Sequence, residues 1–530
     1  MIESLPIIPR PADLSVNRGE LAIDAISCIT FNHPSAFTVA TRFRDDLQRW
    51  AGIDLSRPSA TPNSEIGVRI ELQSEGDRTG LSPESVSADG AYALTIDGSG
   101  VLVTSDSAEG LHRGLTTIVQ LFATLGRTIP HLQVVDAARY GWRGLSLDTA
   151  RSFVPVDEIR SIIDVLSLYK VNVLHLHLSD NEGWRLEMPG WPRLTGTGSS
   201  YYTASDLAEL SRYAADRFIT VIPEIDLPGH VGAAIRAYPE LNRLAVSELD
   251  RPFPRANLDP ASATAWRFVD DIVEALASVT AGPYLHVGGD EAFGMDDAAH
   301  VSFVERVLER TVACGKIPIG WQEISRARVQ PGQLVQHWID FSSSEEIDDP
   351  TDSTDTQPEL ATRMLPPDVL RELTLNFSKA AGDARNIEQK GVRVVLSPTG
   401  HAYLDRPHQD RSLDPGQRSE DFGMRLYPPT PLGAYLEWDP ATVTPTIPAD
   451  RIVGVEAALW TEHADTRGAR AALLLPRLPA VAEVAWSSGV SSWEEYRARL
   501  ARHSLMWQRA DISWYQADSV PWQYQETVPR

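Results

Sequence analysis

Residues 144–180 read GLSLDTARSFVPVDEIRSIIDVLSLYKVNVLHLHLSD. The run 144–148 (GLSLD) is short and apolar, 155–169 repeats its apolar side chains at helical spacing, and 173–180 (VLHLHLSD) returns to a short apolar run. Strand, helix and strand in that order make a βαβ unit, whose two strands are parallel. The rhythm continues downstream. Strand-like runs fall at 219–226 (ITVIPEID), 284–291 (YLHVGGDE), 317–323 (IPIGWQE), 333–338 (QLVQHW), 392–398 (VRVVLSP) and 452–460 (IVGVEAALW). Helical stretches intervene at 205–217, 261–278, 297–313 and near 366–380, and another follows at 468–485. Near-continuous apolar strands imply a sheet covered by helices on its outside. Eight of them in about 350 residues fit a closed (β/α)₈ TIM barrel better than an open doubly wound sheet. No glycine-rich dinucleotide fingerprint follows the first strand.

Upstream the pattern differs. Residues 36–50 (AFTVATRFRDDLQRW) space apolar side chains as a helix does, and 66–72 (IGVRIEL) alternates as a strand does. Residues 91–105 read as a hairpin around Asp97-Gly98-Ser99-Gly100, with a helix near 107–125. The expected organisation is a structural α+β domain at 1–137, a catalytic barrel at 138–515 and a C-terminal tail at 516–530. Two connections are long. Residues 341–360 carry seven acidic side chains and no basic one, and are expected as a mobile loop. Residues 406–450 are rich in Pro, Asp and Arg. Both should emerge at the C-terminal face of the barrel, where loops shape ligand sites.

Composition narrows the function classes. The net charge of −24 disfavours nucleic acid and anionic membranes as partners. Cys28 and Cys314 belong to no CxxC pair, so neither a disulfide framework nor a structural zinc site is expected. The N-terminus shows no basic region followed by an apolar run, and no span of about 20 apolar residues occurs. The chain therefore reads as cytoplasmic, or as secreted if a leader peptide once preceded it. Neither a cofactor nor a metal is expected; a homodimer is left open.

Barrel enzymes carry their chemistry where strands end. Here the exits supply Asp148 and Arg151, Asp180, Asp226 and His230, Asp290 with Glu291, Trp321-Gln322-Glu323, His337-Trp338, Tyr403 and Asp405, and Trp460 and Glu462. Carboxylates and arginine bond hydroxyls, while Trp and Tyr offer flat apolar faces, a mixture suited to a pyranose ring. In 286–291 (HVGGDE) the two glycines free the backbone so that Asp290 and Glu291 can converge. Two adjacent, partly desolvated carboxyls cannot both ionise cheaply, so one should stay anionic and the other become a general acid. Rival readings of this pair are a capped helix start or a metal site. His175-Leu176-His177 also puts two imidazoles on one strand face, which would suit a metal-dependent hydrolase. The pair lies before the strand exit with no completing set at strands five and eight, so buried hydrogen-bonded histidines are expected. A non-catalytic sugar-binding protein is the other alternative.

The stretches RGLSLDTARSFVP, VLHLHLSDNEGWR, VIPEIDLPGH, HVGGDE, GWQE, QHW, SPTGHAYLD and EAALWTE, in this order, resemble the β-N-acetylhexosaminidases of glycoside hydrolase family 20. The resemblance implies exo-acting, retaining hydrolysis of terminal β-linked N-acetylhexosamine, in which the substrate's own acetamide is the nucleophile. The substrate would be a small oligosaccharide or a glycoconjugate. It further implies that Glu291 is the general acid and that Asp290 steadies the acetamide N–H. Tyr403 would bond the acetamide oxygen, Arg151 and Glu462 the outer hydroxyls, and Asp405 would bind a ring hydroxyl or orient Tyr403. Trp321, Trp338 and Trp460 would wall the pocket. Asp180, Asp226, His177 and His230 would tune the acid, and Trp438 would lie on the leaving-group side. The loops 341–380 and 406–437 depart from the family's spacing.

Overall fold

The computed structural model describes residues 5–525, except 61–65, 74–89, 197, 243–248, 250–253, 340–366, 421 and 490. Six strands form the N-terminal sheet: β1 (Asp13–Ala22), β2 (Cys28–Phe31), β3 (Gly67–Leu72), β4 (Tyr92–Asp97), β5 (Gly100–Ser105) and β6 (Thr128–Asp136), in spatial order β1-β6-β4-β5-β3-β2. The expected hairpin joins β4 to β5. Its turn closes on Gly100 at φ +116°, and the Asp97 carboxylate accepts from the Ser99 N–H at 2.7 Å. The helix Ala108–Leu125 begins where Ser107 Oγ accepts from the Gly110 N–H at 3.0 Å, an N-cap bond.

All eight expected barrel strands are present: β7 (Trp142–Asp148), β8 (Val173–His177), β9 (Thr220–Glu224), β10 (Tyr284–His286), β11 (Ile317–Trp321), β12 (Leu334–His337), β13 (Arg393–Leu396) and β14 (Ile452–Leu459). They are parallel, neighbour follows neighbour, and β14 pairs with β7 to close the ring. This is a TIM barrel. Each strand donates one side chain to an apolar plug: Trp142, Val173, Ile222, Tyr284, Ile319, Leu334, Val395 and Val453. Such a layer makes the barrel a packed core closed at one end, and the opposite end is left to bind.

Seven strands stop earlier than their expected runs, and at three of them the residues beyond carry much of the site. β8, β9 and β10 end at His177, Glu224 and His286, and the residues beyond them leave the ladder to form the site. The helix expected at 468–485 is two helices, Arg467–Leu474 and Arg477–Trp486. Pro476 lies at the break, where it removes a backbone donor and crowds the preceding turn. The loop 341–360 lies outside the described residues. Beyond it stand the helices Pro367–Ser378 and Ala380–Lys390, the second of which the sequence reading did not anticipate.

The segment expected as a tail is packed over its described part. Ala517, Val520 and Trp522 are buried. Leu413 N–H donates to the Gln516 carbonyl at 2.7 Å, and Asp518 N–H donates to the Arg411 carbonyl at 2.9 Å. Gln516 and Asp518 therefore anchor the 406–450 connection. No helix among the described residues is long and apolar enough to cross a membrane.

Candidate active site

The turn after β10 shapes the site. Gly288 has φ +69°, and a Cβ there would fall 1.7 Å from Asp226 Oδ1. Gly289, at φ +107°, donates its N–H to the same oxygen at 3.1 Å. Glu291 itself holds φ +43°, a conformation that costs a side-chain-bearing residue about 1 kcal/mol or more. Together these residues turn Asp290 and Glu291 toward the barrel mouth, as the two glycines suggested.

His230, also in the left-handed region at φ +53°, stands between the acids. Its Nε2 lies 3.6 Å from both Asp290 Oδ2 and Glu291 Oε2, and its Nδ1 lies 3.1 Å from Asp180 Oδ2. Asp180 also meets Arg151 Nη2 at 2.7 Å and His177 Nε2 at 2.9 Å. Burial opposes ionisation of Asp180, yet Arg151 and His230 hold its carboxyl well below the usual carboxylate range. Burial also opposes the charge on His230, but Asp180, Asp226 and Asp290 hold that imidazole well above its usual value. Burial and Asp290 push Asp226 well above the carboxylate range, against the pull of His230. At Glu291 burial dominates and Asp290 adds to it; against the pull of His230, the carboxyl is pushed up to about 7. One carboxyl of the adjacent pair is thus poised as an acid near neutral pH.

Four aromatic rings wall the space beside the acids. Trp338 stacks on Tyr403 with centroids 6.5 Å apart, Tyr403 meets Trp460 edge-on at 6.0 Å, and Trp460 leans on Trp321 at 5.8 Å. The Trp321 indole N–H donates to Glu224 Oε1 at 2.8 Å and the Trp338 N–H to Glu323 Oε2 at 3.2 Å, which fixes both rings. The Arg151 guanidinium lies over Trp460, and its Nε is 3.8 Å from Glu462 Oε1. Asp405 is buried, and neither carboxyl oxygen has a hydrogen-bond partner among the described residues. Asp290 Oδ1, Arg151 Nη1 and His230 Nε2 are unpartnered in the same sense. Buried polar atoms without partners are rare, and their clustering here marks positions for ligand groups.

The structure gathers all the sequence-predicted residues but one. Trp438 stacks on His401 at 5.3 Å and belongs to the main core, not to the aromatic cluster of the site. The 406–450 connection instead delivers Tyr427, edge-on to Tyr403 at 6.2 Å, with Arg406 over its ring. Burial raises the Tyr427 phenol, and Asp405, Glu462 and Glu291 add to that, so it faces the acidic side of the site. No motif surrounds Tyr427, and only its place in a loop at the barrel mouth hinted at it. Glu323 was visible in GWQE without a role. Burial and Asp290 push it up to about 8, and it accepts from Trp338 and from Asn376 Nδ2 at 3.1 Å.

His175 and His177 are buried and paired, as expected, but Glu224 and His286 stand beside them. His175-Glu224-His286, His177-Glu224-Asp226 and Asp226-His230-Asp290 are each compact enough to hold an ion. In the first group the three residues already contact one another at hydrogen-bond distance, His175 Nε2 and His286 Nδ1 lying 3.1 and 2.8 Å from Glu224.

A carboxyl acid beside a second carboxylate, in an aromatic-walled pocket at the open end of a TIM barrel, defines a glycoside hydrolase. The catalytic domain of glycosyl hydrolase family 20 matches residues 140–296 and 371–489, and domain 2 of that family matches residues 4–137. The β-N-acetylhexosaminidase of Cellulomonas fimi is 33% identical over 97% of both chains. Among solved structures, the N-acetyl-β-hexosaminidase of Streptomyces plicatus in complex with thio-NAglucal superposes with a TM-score of 0.80 at 30% identity, covering 98% of each chain. The GH20 β-N-acetylhexosaminidase of Streptomyces coelicolor A3(2) gives 0.79 at 31% identity, over 98% of this chain and 99% of that one. The chain belongs to glycosyl hydrolase family 20.

Proposed function

We propose that the protein removes terminal β-linked N-acetylhexosamine from oligosaccharides or glycoconjugates, with retention of configuration and with the substrate's acetamide as nucleophile. The observation that carries this reading is the pairing of Glu291, a mostly buried acid at about 7, with Asp290, whose Oδ1 is buried and without a hydrogen-bond partner among the described residues. Glu291 protonates the glycosidic oxygen as the C1–O bond breaks and its electron pair leaves with the aglycone. The acetamide oxygen closes on C1 from the opposite face, forming an oxazolinium ion. Asp290 accepts a hydrogen bond from the ring N–H and offsets its positive charge, a stabilisation of roughly 3–4 kcal/mol for one preorganised group. Intramolecular attack supplies a further proximity advantage of up to about 7–11 kcal/mol. Glu291, now a carboxylate, takes a proton from water as the water opens the ring.

Tyr403 donates to the acetamide oxygen, and Trp321, Trp338 and Trp460 enclose the acetamide methyl and floor the sugar. Arg151, Asp405 and Glu462 bind the outer hydroxyls. The two oxygens of Asp405, without hydrogen-bond partners among the described residues, are placed to accept from them. The relatives named as β-N-acetylhexosaminidases, and the Streptomyces plicatus enzyme described with the product GlcNAc, support this assignment.

A p-nitrophenyl panel of β-GlcNAc, β-GalNAc, β-glucoside and lacto-N-bioside tests it. Hydrolysis of the N-acetyl sugars is expected, with the glucoside slower by several orders of magnitude. Equal rates on the glucoside would refute acetamide participation. Loss of activity on chelation would favour a metal-dependent hydrolase, and GlcNAc binding without turnover a sugar-binding protein.

A further inference from the structure

Glu224 ends β9 inside the barrel with no exposure to solvent. It is the register partner of His177 on β8 and of His286 on β10, so all three share one layer of the barrel. Its Oε1 meets Trp321 Nε1 and His286 Nδ1, each at 2.8 Å; its Oε2 meets His177 Nδ1 at 2.6 Å and His175 Nε2 at 3.1 Å. Trp321 and His177 hydrogen-bond the carboxylate, and His175 and His286 lie at ion-pair distance from it. The other nitrogen of His177 reaches Asp180 at 2.9 Å, Asp180 reaches His230, and His230 reaches Glu291. Acid and base alternate along Glu224–His177–Asp180–His230–Glu291. A second branch through His175 ends within the barrel on Glu456, which also accepts from Trp142 and Gln336.

We propose that Glu224 is a positioning residue, which acts through His177 and Asp180 to bias the protonation of Glu291 and at the same time locks the Trp321 indole in the pocket wall. The inference rests on the function proposed above. Burial opposes ionisation of Glu224, but His286, His177 and His175 hold it well below the carboxylate range, and His177 is correspondingly held well above its usual value. Glu224 and His177 form a buried dipole whose positive end points toward Asp180 and the acid. The charged groups facing Glu291 are His230, Asp290, Arg151 and Asp180. Glutamine at 224 offers Nε2–H to His177 Nδ1, which then serves as an acceptor. His177 becomes neutral while still donating to Asp180 through Nε2. With the nearer positive charge gone, ionised Glu291 is less favoured, so its pKa rises.

The test is the pH dependence of kcat on p-nitrophenyl β-GlcNAc for Glu224→Gln, His177→Gln and the double variant. Each single variant is expected to move the alkaline limb upward by about half a pH unit or more, and the double variant no further than either. Glu224→Gln keeps an oxygen facing Trp321 and should leave KM little changed, as should His177→Gln, whereas Glu224→Ala removes the indole's acceptor and should raise KM. An unmoved limb in both variants, or additive shifts in the double, overturns the proposal. If Glu224→Gln does not fold, the limb in His177→Gln decides alone. ¹⁵N-histidine spectra of the empty protein near pH 8 give a readout free of substrate. His177 is expected to be cationic in the wild type and neutral in Glu224→Gln; a neutral His177 in both overturns the relay. A wild type inactive on N-acetyl glycosides but showing that change would overturn the function and spare the relay.

Discussion

Glu291 binds its proton more tightly in the folded chain than in the unfolded one, since its carboxyl rises from 4.5 to about 7. Its contribution to stability is therefore present below about pH 4.5 and is lost as pH climbs through 7. The side chain is only 15% exposed, so the cost of its ionisation is on the order of 2–3 kcal/mol. Glu291→Gln is expected to melt with the wild type at pH 4.5 and above it at pH 8, as calorimetry would show, while hydrolysis of natural glycosides is lost and sugar binding is kept. Matched melting curves at both pH values would contradict the poised acid. Asp290→Asn removes the anion beside the developing ring cation and should cost about 10²–10³ in kcat. A rate near wild type in that variant would count against the assigned role. A thiazoline analogue of GlcNAc resembles the cyclised intermediate and should inhibit competitively at well below millimolar concentration.

Among the elements, the turn after β10 leaves little room for change. A methyl at Gly288 would overlap Asp226 and face a positive φ as well, so Gly288→Ala carries two penalties. It is expected to lose nearly all kcat and several degrees of melting temperature, measured by turnover and by thermal scan; wild-type kinetics would show that the turn does not place the acids. Much at this scale was legible in the sequence. The strand-helix alternation placed eight barrel strands, and the glycine pair placed the turn. Strand ends were not legible, because Leu178, Ile225 and Val287 prolong the apolar runs while the backbone has already left the ladder. Pro476 was legible in principle, yet the helical spacing on either side of it outweighed a single residue in the reading. Trp438 and Tyr427 could not be told apart by local sequence, since both lie in one irregular segment whose path is fixed by distant contacts.

Across the whole molecule, the two layers of structure are locked by buried charge. Lys170, at the base of β8, meets Asp136 of the N-terminal sheet at 3.1 Å and the Tyr92 hydroxyl at 2.9 Å, with its ammonium over the Trp486 ring. Asp136 also accepts from the Trp486 indole. Lys170→Met would leave Asp136 buried without its counter-ion, a loss of about 3–5 kcal/mol, read as a lower unfolding midpoint with kcat at low temperature little changed. The end of the chain is tied to the site. Tyr515 stacks on His408 at 3.6 Å and donates to the Asp410 carbonyl, in the connection that carries Tyr427. Deletion of residues 512–530 should therefore raise KM and lower the melting temperature together; an unchanged KM would uncouple that segment from the pocket.

Local patterning by itself determined the barrel, the small domain before it, and which strand exits carry acids and aromatics, because burial of a two-sided strand and the bends of glycine are written in neighbouring residues. Tertiary structure alone decided which carboxyl holds its proton. Glu291, Asp226 and Glu323 rise while Asp180 and Glu224 fall. Those outcomes depend on desolvation and on charges brought from other strands, and no spacing along one chain encodes how closely they meet.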